Sequence, residues 1–154
     1  MAENILDVTQ LKSTKGRILG VAFGDTRTGL AVSDPSRFLA SAIGTVSPGG
    51  IEKTARKVAD VATEQRVVAV VVGLPKNMDG SEGFRAQRCV EFAQMLAELI
   101  PDVAVAMMDE RLTTVSATRY LNETNTRGSK RKGVIDTLSA EIILQNALDK
   151  LKML

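Results

Sequence analysis

The chain has 154 residues, 44% hydrophobic and 25% charged, with a net charge of +2; these values are typical of a globular domain with its own core and indicate no particular partner. It contains no histidine and one cysteine, which excludes Ser-His-Asp and Cys-His catalytic units, histidine-ligated or thiolate-cluster zinc, and an internal disulfide. A single cysteine and the absence of an apolar run of membrane-spanning length predict a cytoplasmic protein without a membrane partner.

The first part of the chain predicts an arm followed by three strands. Residues 1–15 have weak periodicity, and we expect a loose arm or a short helix there. Apolar runs at 17–24, 29–33 and about 38–46 predict strands separated by short polar turns. Because connections of hairpin length join antiparallel strands, these three strands should form an antiparallel meander.

The rest of the chain alternates between helix and strand. The predicted helices and strands are, in order, a helix at 51–65, a strand at 67–74, a helix at 81–100, a strand at 103–108, and helices at 113–123 and about 133–151. The strand at 67–74 is the most apolar run of the chain and mostly β-branched, which predicts burial on both faces. Strands connected through helices are parallel.

The predicted fold is therefore α/β, with one mixed five-stranded sheet and helices on both faces. Its first strand should lie centrally, beside the strands at 67–74 and 103–108. In domain terms we expect an arm at 1–15 and a single domain at 16–154, with a mobile basic loop at about 125–132.

Polar segments follow the strands at the edge where open α/β sheets bind ligands. The segment at 109–114 is either the start of a helix, where acids are favoured by the helix dipole, or part of a site; its spacing alone favours neither. The turn at 24–29 is either ordinary hairpin chemistry or a phosphate contact through backbone amides and Arg27. By itself the segment at 73–80 indicates only a turn.

The last helix contains an acid, Asp136, among apolar residues after one helical turn, and this residue either is solvated or belongs to a site. A basic cluster precedes it, which is either a solvated loop or a phosphate-contacting arm. Its members are Arg127, Lys130, Arg131 and Lys132.

Three of these segments together closely resemble the YqgF family, also called RuvX. They read GLPKNMDG at 73–80, DERLTT at 109–114 and KGVIDTLSA at 132–140. The resemblance extends over nearly the whole chain and implies the ribonuclease H-like fold of RuvC-type Holliday junction resolvases. Family members are described as nucleases that process pre-16S ribosomal RNA in ribosome biogenesis or as junction resolvases.

The resemblance implies a hydrolase of phosphodiester bonds that uses Mg²⁺ or Mn²⁺ held by carboxylates. Glu110 and Asp136 would be catalytic metal ligands. The implied nucleic-acid contacts are Lys76, Asn77, Arg85 and Arg111, with Arg27, Lys130, Arg131 and Lys132 as further candidates. The partner would be pre-16S rRNA or branched DNA, with ribosomal precursor particles as a further partner, and the protein would be a monomer or a homodimer.

One departure from the family pattern bears on activity. The first strand of the family usually carries an aspartate two residues before a glycine, and here Ala22 occupies that catalytic slot. Asp25 lies three residues further on, up to about 10 Å away along an extended strand. The chain is therefore an inactive site-directed variant, a natural pseudo-nuclease, or an enzyme whose site is rebuilt around Asp25.

Two other functions remain open from the sequence. Ala22 and the basic cluster are compatible with a nucleic-acid-binding module that has no catalytic activity. The turn at 24–29 also suggests a small phosphotransferase-like domain, although the chain is short for the second lobe that such an enzyme needs.

Overall fold

The computed structural model of the protein describes residues 5–24, 26–47, 49–75, 83–109 and 128–154, and only the backbone for 128–136. The predicted helix at 113–123 lies outside these ranges. The described elements are, in chain order, β1 (Ile5–Asp7), a 3-10 helix (Val8–Ser13), β2 (Ile18–Ala22), β3 (Thr28–Ser33), β4 (Ala40–Val46), α1 (Gly50–Glu64), β5 (Ala69–Leu74), α2 (Phe84–Leu99), β6 (Ala104–Asp109) and α3 (Gly128–Lys152).

The strands form one mixed sheet with the order β1-β6-β5-β2-β3-β4. β2, β3 and β4 pair antiparallel, whereas β1, β6, β5 and β2 pair parallel. The predicted α/β fold with an antiparallel meander is confirmed. The predicted neighbours of the first strand were partly wrong, because β5 lies between β2 and β6.

β5 lies in the middle of the sheet and is buried along its whole length. Its alternate side chains enter two separate apolar clusters, one on each face of the sheet. Val70 and Val72 pack in the cluster that includes α1 and α2, whereas Ala69 and Val71 pack in the cluster that includes α3. The prediction of a strand buried on both faces is confirmed.

Among the described residues the sheet has six strands rather than the five predicted, and the additional strand lies in the N-terminal stretch. The expected short helix is present as the 3-10 helix at Val8–Ser13, whereas Ile5–Asp7 forms a parallel strand against β6 instead of a loose arm. Val8 and Leu11 in the 3-10 helix are 1% and 0% exposed. A three-residue strand is too short to show an alternating pattern, and its partner lies about one hundred residues away. Asp7 caps the 3-10 helix, and the hydrogen bond from the Thr9 hydroxyl lowers the pKa of the Asp7 carboxyl.

α3 covers one face of the sheet and lies directly against β2 at Gly20. A methyl group at Gly20 would lie 2.6 Å from Leu144 Cβ and 3.0 Å from the carbonyl oxygen of Ala140. The helix begins at Gly128, about five residues earlier than predicted, so residues 128–132 of the predicted mobile loop are helical. Lysine and arginine are good helix formers, although they give no apolar periodicity to predict the helix from.

The end of the sheet at the start of β2 is closed by side chains that bind backbone groups. Arg37 donates hydrogen bonds to the Gly16 carbonyl (2.7 Å), the Leu11 carbonyl (3.2 Å) and the Thr14 hydroxyl (2.7 Å). The Asp34 carboxylate accepts hydrogen bonds from the backbone N–H groups of residues 38 and 39, at 2.8 and 2.9 Å. These bonds, first of all the one from residue 39, lower the pKa of Asp34.

In the part of the chain that the structure describes, no helix combines the length and apolar character that a membrane span requires.

Candidate active site

Three parallel strands end together at one side of the sheet, which we call the carboxyl edge. β2 ends at Ala22, β5 at Leu74 and β6 at Asp109. The register pairs Leu74 with Asp109 across β5 and β6, and the β2–β5 pairing runs up to Val21 and Val72. The polar segments that follow these strands in the sequence therefore begin from neighbouring positions, where α/β sheets bind ligands.

Ala22 lies at the carboxyl edge with its side chain on the face that α3 covers. It is half-buried and packs against the apolar cluster of that face, together with Met108 from β6. The same cluster contains Ala140 and Leu144 from α3. A side chain at position 22 therefore points toward the layer of the last helix, and here it is only a methyl group.

The backbone of Asp136 is brought to the same level of the fold as Ala22. Ala140 lies against Gly20. Further along α3, the Gln145 side chain accepts a hydrogen bond of 3.0 Å from the Ala40 N–H at the closed end of the sheet. These two positions show that α3 runs antiparallel to β2. Ala22 is two residues beyond Gly20, about 6–7 Å along the strand. Asp136 is four residues before Ala140, about 6 Å along the helix in the same direction.

The turn after β2 has a close backbone approach that requires glycine. A Cβ atom at Gly24 would lie 2.5 Å from the carbonyl oxygen of Arg27. The Gly24 N–H also donates a long hydrogen bond of 3.5 Å to the hydroxyl of Thr28, which is buried. The turn therefore holds Arg27 near the carboxyl edge, although its proposed contact with phosphate stays a prediction.

The start of α2 adds two arginines to this edge. A shallow depression there is lined by Phe23, Gly24, Arg85, Arg88 and Cys89. The structure thus brings the predicted Arg85 beside the turn that follows Ala22. Arg88 was missed by the sequence analysis, although its spacing of three residues from Arg85 places both on neighbouring positions of one helix.

An aromatic contact fixes the turn against α2. The rings of Phe23 and Phe92 are stacked, with centroids 4.6 Å apart and an angle of 23° between their planes. Phe92 is completely buried. The position of the depression relative to β2 is therefore set by the core rather than by the exposed side chains around it.

Several predicted site residues lie outside the part of the chain whose side chains the structure describes. Lys130, Arg131 and Lys132 lie in the first part of α3, where only the backbone is described. Within the described ranges, no group of three or more cysteine, aspartate or glutamate side chains could hold a metal ion. The predicted residues outside those ranges are Asp25, Lys76, Asn77, Glu110 and Arg111.

The arrangement of strands and helices is the ribonuclease H-like fold of the RuvC resolvases. RuvC of T. thermophilus, solved in complex with a Holliday junction substrate, is 16% identical, with a TM-score of 0.54 over 90% of this chain and 96% of RuvC. The Holliday junction resolvase of fowlpox virus is 10% identical, with a TM-score of 0.51 over 86% of this chain and 99% of the viral chain. At these identities the similarity shows the fold.

The chain belongs to the RuvX family, whose model is described as a Holliday junction resolvase and matches residues 16–150. A relative from Acetivibrio thermocellus is 41% identical over 134 residues, which are 86% of this chain and 95% of the relative. One from Cereibacter sphaeroides is 43% identical over 139 residues, or 90% of this chain and 86% of the relative. Both carry the name "Putative pre-16S rRNA nuclease". The family resemblance is thereby confirmed.

Proposed function

We propose that this chain is a cytoplasmic, metal-dependent nuclease of ribosome biogenesis that hydrolyses phosphodiester bonds in pre-16S rRNA. Membership of the RuvX family and relatives named as nucleases of this RNA support the proposal. The structural observation that carries it is the approach of α3 to β2 at Gly20. That approach brings the backbone of an acid-bearing helix, with Asp136, to the level of the Ala22 slot.

A divalent cation fits the donors that the sequence offers at this edge. Glu110 and Asp136 supply carboxylates, which suit hard, oxygen-preferring ions such as Mg²⁺ or Mn²⁺. When bound, the metal would activate the attacking water and stabilise the leaving oxygen. Ala22 supplies no oxygen, so the donor set of this chain is one carboxylate short unless Asp25 replaces it.

The cationic side chains would bind the phosphates of the substrate rather than take part in proton transfer. Arg85 lies exposed beside the turn after β2, where it would hold a phosphate by paired hydrogen bonds. Lys76 and Arg111 would contact neighbouring phosphates, Asn77 would help to shape the site, and the remaining basic candidates would extend this surface along α3 and the turn after β2. These candidates are Arg27, Lys130, Arg131 and Lys132.

Two other functions have specific support. The methyl group of Ala22, packed in the apolar cluster of the α3 face, favours a module that binds nucleic acid without cutting it. The description of the RuvX model favours a resolvase acting on branched DNA. A resolvase that cuts two strands symmetrically would require a homodimer, whereas an RNA-processing nuclease would not.

The test is cleavage of end-labelled pre-16S RNA with Mn²⁺, comparing the protein with Ala22→Asp. We expect Ala22→Asp to cut about 100-fold faster or more, because a correctly held metal is worth several kcal/mol of transition-state stabilisation. Ala22→Asn is the matched control, since it adds a side chain of similar size without the charge. Ala22→Asp combined with Glu110→Gln should lose the gained activity.

The other outcomes separate the alternatives. Equal cleavage by both proteins would mean a rebuilt site, and Asp25→Asn should then abolish it. No cleavage of RNA but cleavage of a four-way DNA junction would transfer the proposal to a resolvase. RNA binding that persists in EDTA, with no cleavage of either substrate by any variant, would establish the binding module.

A further inference from the structure

We infer that Phe84 is a stacking platform for one unpaired base of the bound nucleic acid, an inference that rests on the proposed function and names its substrate as single-stranded at this point. Phe84 is the first residue of α2 and is 71% exposed. An aromatic ring so exposed contributes little to the core. Proteins bind single-stranded nucleic acids through exposed aromatic faces, because every base can stack on such a face.

Two arginines follow Phe84 in the first two turns of α2. The guanidinium of Arg88, one helical turn further on, lies over the Phe84 ring with its Cζ atom 5.8 Å from the ring centroid. Arg85 is the adjacent residue and is exposed, and the first turn of α2 contains no acid. A nucleotide stacked on the ring would therefore find the exposed guanidinium of Arg85 for its phosphate, which is the charge complementarity that an RNA or DNA strand requires.

The platform is also continuous with the carboxyl edge. Arg85 and Arg88 line the same depression as Phe23 and Gly24, which directly follow Ala22 in the chain. A strand whose base lies on Phe84 and whose phosphate lies on Arg85 is thereby guided toward the turn after β2. Phe84 would act as a positioning residue, because it binds a base at the rim of the site and not the reacting phosphate.

A second phenylalanine provides a matched control. Phe38 is 62% exposed, and the Lys152 ammonium lies 5.0 Å from its ring centroid. That ammonium, however, donates to the carbonyl of Phe38 itself at 3.1 Å. Phe38 lies at the closed end of the sheet, away from the carboxyl edge, so this second pair of an exposed phenylalanine and a cation should bind no nucleic acid.

The chain contains no tryptophan, so Phe84→Trp and Phe38→Trp each introduce a single fluorescent reporter. We would titrate each variant with an unlabelled RNA decanucleotide, and separately with an unlabelled DNA decanucleotide. EDTA is present in both titrations so that the strand is not cut. Phe84→Trp should show saturable quenching with either strand, because a stacked base quenches the indole, and quenching by both would mean that the 2′-hydroxyl is not needed. Phe38→Trp should stay unquenched.

Affinity gives a second readout that a structural role would not move. By fluorescence anisotropy of a labelled decanucleotide, Phe84→Ala should bind about 5- to 150-fold more weakly, the effect of removing one base–aromatic stack. Phe84→Tyr should restore binding, and Phe38→Ala should bind like the unmodified protein. The melting temperature of Phe84→Ala should be unchanged, since the ring is exposed.

Several results would overturn the inference. These are an unquenched Phe84→Trp that still binds by anisotropy, a Phe84→Ala variant with unchanged affinity, equal losses for Phe84→Ala and Phe38→Ala, or no binding of either strand. The proposed nuclease function fails separately. Quenching of Phe84→Trp without cleavage in the presence of any divalent metal would reject the nuclease function and support base stacking on Phe84. Cleavage without quenching would support the nuclease function and reject base stacking on Phe84.

Discussion

The two ends of the sheet carry the same kinds of side chain in opposite circumstances. Each presents an exposed phenylalanine with a cation against its ring, Phe84 with Arg88 and Phe38 with Lys152. At the closed end the cations are committed to backbone carbonyls, as shown by Arg37, which donates to two carbonyls and one hydroxyl. At the carboxyl edge Arg85 lies exposed beside a depression.

The difference shows that the acceptors around an arginine determine whether it stabilises the fold or is left to bind a ligand. Where loop carbonyls converge, as around Arg37, a guanidinium satisfies them and stabilises the fold. Where a helix begins, the carbonyls of its first turn accept hydrogen bonds from within the helix. Among the described residues, the guanidinium of Arg85 is exposed at such a position, where it would bind a phosphate. Substitutions should therefore affect stability at one end and binding at the other.

The largest expected effect on stability is at Arg37. Arg37→Ala should lower the free energy of unfolding by about 2–4 kcal/mol, because it leaves partly buried acceptors without their charged donor. Arg85→Ala, the matched substitution at the carboxyl edge, should change it by less than about 0.5 kcal/mol. Urea unfolding of the two variants measures both. Similar losses in the two variants would contradict the division of roles.

A conservative variant sharpens this comparison. Arg37→Lys keeps the positive charge, but a lysine ammonium lacks the planar guanidinium that reaches all three acceptors. It should therefore recover only part of the stability that Arg37→Ala loses. Full recovery would mean that charge alone, and not the geometry of the guanidinium, holds the closed end together.

The next effect concerns the approach of α3 to the sheet. Gly20→Ala places a methyl group 2.6 Å from Leu144 Cβ, so it should cost about 1–3 kcal/mol through overpacking. Gly44→Ala is the contrasting control, because it meets no atom within 4 Å but has a φ of +130°. In the Ala22→Asp background, Gly20→Ala should reduce cleavage and Gly44→Ala should not. Equal cleavage in both would separate the position of α3 from activity.

The smallest effect is a pH dependence at the closed end. The pKa of Asp34 is lower in the folded than in the unfolded protein, because its carboxylate accepts backbone N–H bonds. Its contribution to stability is therefore present above the unfolded pKa and is lost as the pH falls through the folded value. Asp34→Ala should flatten the acid side of the plot of melting temperature against pH. An unchanged slope would contradict this.

Local sequence patterns predicted those elements whose burial is regular. β5 was predictable because its β-branched residues are buried on both faces, and the meander was predictable because its connections are short. β1 was missed because three residues carry no period and the pairing with Val105 is long-range. The early start of α3 was missed because its first residues, including Lys130, contribute helix propensity without an apolar face.

The sequence predicted where the candidate site lies better than it predicted which residues form it. The rule that ligands bind at the carboxyl ends of strands located the edge, and the family resemblance indicated positions 22 and 85. Arg88 was missed because an arginine on a helix is usually a solvated residue, and what distinguishes it is its position over the Phe84 ring and beside the depression that Arg85 also lines. Glu110 and the side chain of Asp136 remain predictions.

The pairing of β1 with β6 has a consequence for the order in which the protein folds. β1 leaves the ribosome about one hundred residues before its partner strand β6. The ammonium of Lys12 donates to the carbonyl of Leu151 across 139 residues. During synthesis the apolar side chains of Val8 and Leu11 must therefore wait, exposed, until the last helix has emerged. A segment that is made before the rest of its sheet is thereby among the last to fold.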